Sequence, residues 1–366
     1  MPVKPFKSTS EQYDLLISRG LRIKDKDFFI KYINENNYFN VINGNEDLLL
    51  IDPGGNNKFY GTASFNDFVR LHKFDKTLTN QVLSILHDFE TKLKTSIARH
   101  FTESFCRTPS NTMQYTNKHN FLDLPNIFST SYPLYHDQNK SIIDKYNDFL
   151  LFKPNFINTL VRCNDFINVN IFSTPFNQYT PPQGCASFVE RNRHIVVPLW
   201  VVIETFDFGT LQRFCHYANR AVMEKVLNDF GLKYSDRDLF LNSLDIIREF
   251  RNKCAHFSLI NRFSTSSSIK ILPVLVSRLN LSPAQKARRI YVNGKGNVNK
   301  NAAILNLYDT LNVLGMYADL SRLKKPLQKI IYSNNKYFQK KTYDLNTRLL
   351  QRMGNVNYRD WKLLFS

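Results

Sequence analysis

The six residues Arg251-Asn252-Lys253-Cys254-Ala255-His256 are where this 366-residue chain best combines side chains suited to chemistry on a phosphodiester. An imidazole exchanges protons near neutral pH, and a guanidinium offers paired donors to the charge that builds up on a phosphorus under attack. Together they suit cleavage of RNA by its own 2′-hydroxyl, which needs proton transfer and charge neutralisation and requires no metal. On a helix Asn252 and His256 are four apart and share a face. Arg251 is displaced by about 140° but has a stem long enough to bend back. As a bare pattern Arg-x-x-x-x-His is weak, with about half a match expected by chance in a chain of this composition. An exposed arginine beside a histidine bonded to a carbonyl near a helix end would read the same way.

Other candidates are less concentrated. Lys286, Arg288, Arg289 and Lys295, with Tyr291 among them, suit a surface that grips an RNA backbone and stacks a base, or equally a solvated loop. His194 has no partner at metal-ligand spacing, which leaves a loop phosphate contact or no role. The eight histidines show no paired-ligand spacing, so neither a metal nor a cofactor is expected.

The charge balance points to a polyanion. The chain carries a formal +18 with a pI near 9.6. Residues 282–366 hold sixteen Lys and Arg against four Asp and no Glu, so this last quarter carries +12 of that total. The basic stretches lack the apolar aromatic face of an interfacial helix, and the run Ile195–Ile203 is too short to span a bilayer, so a membrane partner is not expected. The five cysteines, odd in number and widely spaced, fit neither a disulfide framework nor a CxxC zinc site. With no signal-peptide core at the N-terminus, a cytoplasmic location is expected.

The elements that must position the motif are mostly helical. Residues 20–42 open with an Asp-rich helix entrance followed by Phe28, Phe29, Tyr32 and Ile33. Asn43-Gly44 and Pro53-Gly54-Gly55 then mark turns that bracket two brief strands or a loop excursion. From Ser64 to Phe105 apolar residues recur every three or four positions, which predicts a helix pair. Residues 107–140 and 173–193 are polar or Pro-punctuated and predict exposed loops. A helical block after Pro198 breaks near Phe208-Gly209, resumes through Leu227 and is capped by Gly231. Ser235 to Asp238 then opens the helix that carries the motif. Beyond it lie an apolar segment, a basic loop over 286–300, and helical pattern over 303–332. The class expected is mainly α with minor β.

Reading outward from the motif, the chain resembles the Abi-like abortive-infection proteins, the AbiD/AbiF group of the HEPN superfamily. RGLRIKDKDFFIKYINENNYFNVING (19–44) resembles the family's opening helix. GTASFNDFVRLHKFDKTL (61–78) and HDFETKLKTSIARHF (87–101) resemble its central helices, and PLWVVIETFDFGTLQRF (198–214) its Pro-x-Trp, Glu and Phe-Gly block. REFRNKCAHFSLINR (248–262) is similar to its RNxxAH and NR signature, and MGNVNYRDW (353–361) to its Met-Gly and Trp ending.

This resemblance implies a HEPN-type helical bundle with added N- and C-terminal helical elements, divided as 1–60, 61–265 and a basic 266–366 packed on the same body. It implies an endoribonuclease that leaves a 2′,3′-cyclic phosphate and a 5′-hydroxyl, with His256 moving the proton, Arg251 stabilising the phosphate and Asn252 positioning it. The implied partners are an RNA substrate, a second copy of the chain when active, and a structured non-coding RNA as regulator. The chain departs from the family where a second His and an Arg often follow the motif, for Phe257 and Leu259 stand there. RNA grip is then weaker or shifted, with Arg262 the candidate to take it up. Glu204 matches the acidic residue of the Trp block and suits a salt bridge between helices.

Overall fold

The computed structural model describes residues 5–55, 57–122, 146–163, 165–179, 181, 185–292, 295–338 and 343–366, with the side chains of Cys163 and of 288–300 outside that description. The fold is mainly α, as the periodicity predicts. Helix α1 (Thr9–Ser18) is closed by a Ser8–Glu11 capping box, and α2 (Lys26–Glu35) by Asp25, whose carboxylate accepts the Phe28 amide at 2.8 Å. The stretch between the two turn signals holds neither strand. A π-turn at Phe39–Asn43 leads into the single-turn helix α3 (Glu46–Leu49), which buries Leu48 and Leu49.

The predicted helix pair is one helix, α4 (Phe65–Phe105). It contains no Gly or Pro, and the polar stretch at its middle is satisfied within the helix. Thr77 and Thr79 donate their hydroxyls to the carbonyls of Lys73 and Asp75, both at 2.8 Å. Residues 109–120 are not a plain exposed loop. They form short 3₁₀ turns that bury Met113 and Tyr115, and the Tyr115 hydroxyl donates to the Val197 carbonyl at 2.6 Å. Residues 123–140 of that predicted loop lie outside the described residues.

Helices α5 (Phe156–Cys163) and α6 (Asp165–Val169) precede a small antiparallel sheet of β1 (Phe172–Pro175), β2 (Phe188–Glu190) and β3 (Arg193–Val196), ordered β1-β3-β2. The second predicted loop is therefore partly sheet, because Ile195 and Val196 pack inward. Helices α7 (Leu199–Val202), α8 (Phe208–Tyr217) and α9 (Arg220–Asp229) follow, and Gly231 takes φ +71° after α9. The helical block thus breaks before Phe208 and again at Ala218-Asn219. Helix α10 (Arg237–Ala255) carries the motif and α11 (Pro273–Leu279) the apolar segment.

The predicted basic loop is a hairpin of β4 (Ala284–Val292) and β5 (Lys295–Ile304). The dipeptide between the strands in sequence is Asn293-Gly294, which favours tight hairpin turns. Helices α12 (Leu307–Gly315), α13 (Lys324–Tyr337), α14 (Leu345–Met353) and α15 (Tyr358–Leu364) complete the chain.

Contacts divide the chain into two compact units. One comprises residues 1–86, 249–267 and 279–366, with a core that includes Phe29 against Phe65 and Tyr308 against Trp361. The other comprises 87–248 and 268–278, with Phe101, Phe121 and Phe214 packed at centroid separations of 5.1 to 5.4 Å. Among the described residues no helix is long and apolar enough to cross a membrane.

Candidate active site

Helix α10 changes character along its length. From Leu239 to Ile247 it is buried on nearly every side, with Phe240, Leu241, Leu244 and Ile246 all inaccessible. From Arg248 onward one face emerges. Arg251 is half-buried, Asn252, Lys253 and His256 are exposed, and Phe250 and Cys254 keep the inner face closed. Burial raises the Cys254 thiol far above its ordinary value, reinforced by the Asp75 carboxylate, so it is a packing group and not a nucleophile.

The helix stops at the histidine. The His256 amide still bonds the Asn252 carbonyl at 3.1 Å. The Phe257 amide then turns back to the Cys254 carbonyl at 3.0 Å and the Ser258 amide to the Lys253 carbonyl at 3.1 Å. This pair of bonds is a Schellman closure with His256 as the C-cap and Phe257 in the left-handed position, at φ +51°. Asn252 and His256 are thus held one turn apart on a single exposed helix face, as their spacing predicts.

The turn beyond is pinned from beneath. Asp75 of α4, only 3 % exposed, accepts the Asn261 amide at 2.8 Å and the Ile260 amide at 3.3 Å. Burial pushes its carboxyl up to about 7, against the opposing pull of those two amides and of Arg352. Arg352 of α14 donates to the Asn261 side-chain oxygen at 3.0 Å and the Gly44 carbonyl at 3.1 Å, and pairs with Asp47. Its guanidinium is pulled down to about 10 by burial, with Asp47 acting in the other direction. Glu249 receives the Ser266 amide on both carboxylate oxygens at 2.9 Å. The segment after the motif is therefore fixed by ionisable side chains at both ends.

Arg262 lies on this pinned turn, exposed, with one long bond of 3.4 Å to the Gly44 carbonyl. Lys286, Arg288, Arg289 and Lys295 belong instead to the β4–β5 hairpin. Lys286 is exposed, Arg288 stands opposite Lys300 and Arg289 opposite Asn299 in register, and the side chains of Arg288, Arg289, Tyr291 and Lys295 lie outside the described residues. His194 is no loop contact. It is 5 % exposed on β3, packed 4.3 Å from the Phe176 ring. Glu204 makes the expected bridge, with its carboxylate 3.7 Å from Lys94 of α4. Among the described residues no cluster of three His, Cys, Asp or Glu is placed to hold a metal.

Spacing and composition do not single out Asp75, Arg352 or Glu249. Each is an isolated charge on a helix, where a solvated position is the ordinary expectation. For Arg352 the Met353-Gly354 block beside it is the available signal.

No curated protein and no solved structure matches the chain. Residues 30–261 match the profile of the family described as Abi-like protein, a span that includes α4, the Trp block, the motif helix and the turn that Asp75 holds. The chain belongs to the Abi-like protein family, a family of abortive-infection defence against phage.

Proposed function

We propose that the protein is a metal-independent endoribonuclease of the HEPN type, with Arg251, Asn252 and His256 as its centre. The observation that carries this reading is the end of α10. An imidazole, an amide one turn below it and a guanidinium emerge together from a helix whose preceding turns are buried, and the following turn is locked by Asp75 and Arg352. A backbone held this way keeps the points from which the three side chains project fixed when a phosphodiester arrives, which supplies part of the preorganisation that catalysis requires.

In the reaction the substrate's 2′-oxygen attacks the adjacent phosphorus, its proton passes to a base, and the bond from phosphorus to the 5′-oxygen breaks as that oxygen is protonated. His256 serves the proton transfers, with the second copy of the chain supplying the complementary imidazole across a two-fold cleft. Arg251 neutralises the phosphorane and Asn252 orients a phosphate oxygen. The products are a 2′,3′-cyclic phosphate and a 5′-hydroxyl. The basic surplus at the C-terminal end suits a structured non-coding RNA that restrains the enzyme until infection.

A second reading is a non-catalytic RNA-binding defence protein. It is favoured by Phe257 and Leu259, which replace the polar pair that often follows the motif. The test is cleavage of total bacterial RNA in EDTA by wild-type protein and by His256→Ala, with end-group analysis. Cyclic-phosphate ends reduced by roughly a hundredfold or more in the variant are expected. Absence of any His256-dependent cleavage, with co-purifying RNA removed, would transfer the assignment to the binding protein.

A further inference from the structure

Helix α13 packs beside α4 within one unit, and the two leave a cleft between them. Its wider end, of 580 Å³, is lined by Thr77 and Gln81 of α4 and by Arg322, Lys324, Lys325 and Lys329. The narrower end, of 240 Å³, shares Thr77 and Lys329 and adds Arg70 and Lys73. Among the described residues no acidic side chain lines either end. Arg70 has a partner in Asp67, but among the described residues Lys73, Lys324, Lys325 and Lys329 enter no ion pair. Lys73, Lys324, Lys325 and Lys329, set along one groove without a carboxylate partner among the described residues, repel one another, and a bound polyanion relieves that repulsion.

Aromatic side chains accompany the charges. Tyr332 is 67 % exposed and follows Lys325 and Lys329 by seven and three residues, on the same face of α13. Tyr337 is also exposed, with the Arg70 guanidinium 5.5 Å from its ring. Cations tracking a backbone beside an exposed ring such as Tyr332 are the composition of a single-stranded nucleic-acid groove. An acidic peptide would use the lysines but leave the tyrosines without an occupant.

The groove is separate from the motif. At 100° per residue, Asp75, which grips the turn after His256, lies about 160° around α4 from both Lys73 and Thr77. The groove therefore occupies the flank of α4 turned away from that turn. We infer that the α4–α13 groove is an exosite for the backbone of single-stranded RNA, which anchors a strand on a surface distinct from the Arg251–His256 centre. The exosite does not depend on cleavage by that centre, because its cations and rings take no part in chemistry.

The test is fluorescence anisotropy with a labelled RNA of mixed sequence, about 20 nucleotides long to span a groove of this kind, in the full-length His256→Ala background so that no cleavage intervenes. One protein carries Lys73→Glu, Lys325→Glu and Lys329→Glu. A control with the same change in net charge carries Lys7→Glu, Lys153→Glu and Lys362→Glu, all at exposed positions. The groove variant is expected to bind roughly tenfold or more weakly than the control, with a salt-dependence slope lower by about 2, near 0.7 for each phosphate no longer neutralised. Tyr332→Ala, which changes no charge, is expected to lose roughly tenfold from stacking. Equal weakening in the two charge variants, or full affinity in Tyr332→Ala together with an unchanged slope in the groove variant, overturns the inference. Circular dichroism checks that each variant is folded, and alanine at the same three lysines replaces glutamate if it is not.

Discussion

Replacing Asp75 with asparagine should remove a pH dependence that the wild-type protein carries in its core. The carboxyl is 3 % exposed and burial lifts it from an ordinary 3.8 to about 7, so between those values the folded state binds a proton that the unfolded chain has released. A raised carboxyl of this kind contributes stability fully below 3.8 and loses it as pH climbs through 7. Between about pH 5.5 and about pH 7.5 the loss spans about 1.5 pH units below the folded value, or about 2 kcal/mol at ~1.36 kcal/mol per unit. An asparagine at this position has no proton to lose and keeps one acceptor for the Ile260 and Asn261 amides where Asp75 offers two. Urea unfolding at both pH values, wild type against Asp75→Asn, reads the effect as a difference of differences, which cancels every other titrating group. The wild type's advantage should shrink by about 2 kcal/mol on going from about pH 5.5 to about pH 7.5. An advantage that stays constant across that range would mean that the turn after His256 does not rest on a buried titrating carboxyl.

Arg352→Met should cost about 1–3 kcal/mol in thermal unfolding, because it strands the Asn261 side-chain oxygen inside and leaves the Gly44 carbonyl only the long bond from Arg262, while the half-exposed Asp47 turns to solvent. Arg352→Lys should restore only part of that, since a single ammonium cannot span partners arranged for a planar fork. Phe257→Gly should raise stability by about 0.5–1 kcal/mol, the relief of a left-handed residue less the added freedom of the unfolded glycine, and a higher melting temperature would register it. A lower melting temperature would mean that the exposed ring makes contacts that outweigh its backbone strain.

Differences between expectation and structure have physical causes that particular elements make plain. Apolar periodicity predicts helix over 64–105 but cannot count helices, because the four-residue step from Leu78 to Val82 is the same whether one helix continues or a second begins; with no Gly or Pro to break it, the chain continues as one. The basic stretch after Ser282 reads as a loop because lysine, asparagine and glycine dominate it, yet cross-strand pairing from Ala284–Ile304 to Val292–Lys295 makes it a hairpin. The segment 173–193 contains turn residues throughout, and its short strands owe their order to the burial of Ile195 and Val196.

What is local or compositional was legible from the order of amino acids alone: a mainly helical chain, the motif on the last turns of an amphipathic helix, the glycine stop at Gly231, the concentration of cations toward the C-terminal end, and the family. These follow from spacings of a few residues and from side-chain chemistry, which the chain carries directly. What supports the motif and what lines the groove came from packing between distant segments. Asp75 meets Asn261 across 186 positions and Arg352 meets Gly44 across 308. The cations of the groove likewise come from α4 near one end of the chain and from α13 and the turn before it near the other. Whether a charge on a helix face is solvated, buried as a strut or set beside others depends on which elements pack against it, and such packing leaves no periodic trace in either segment.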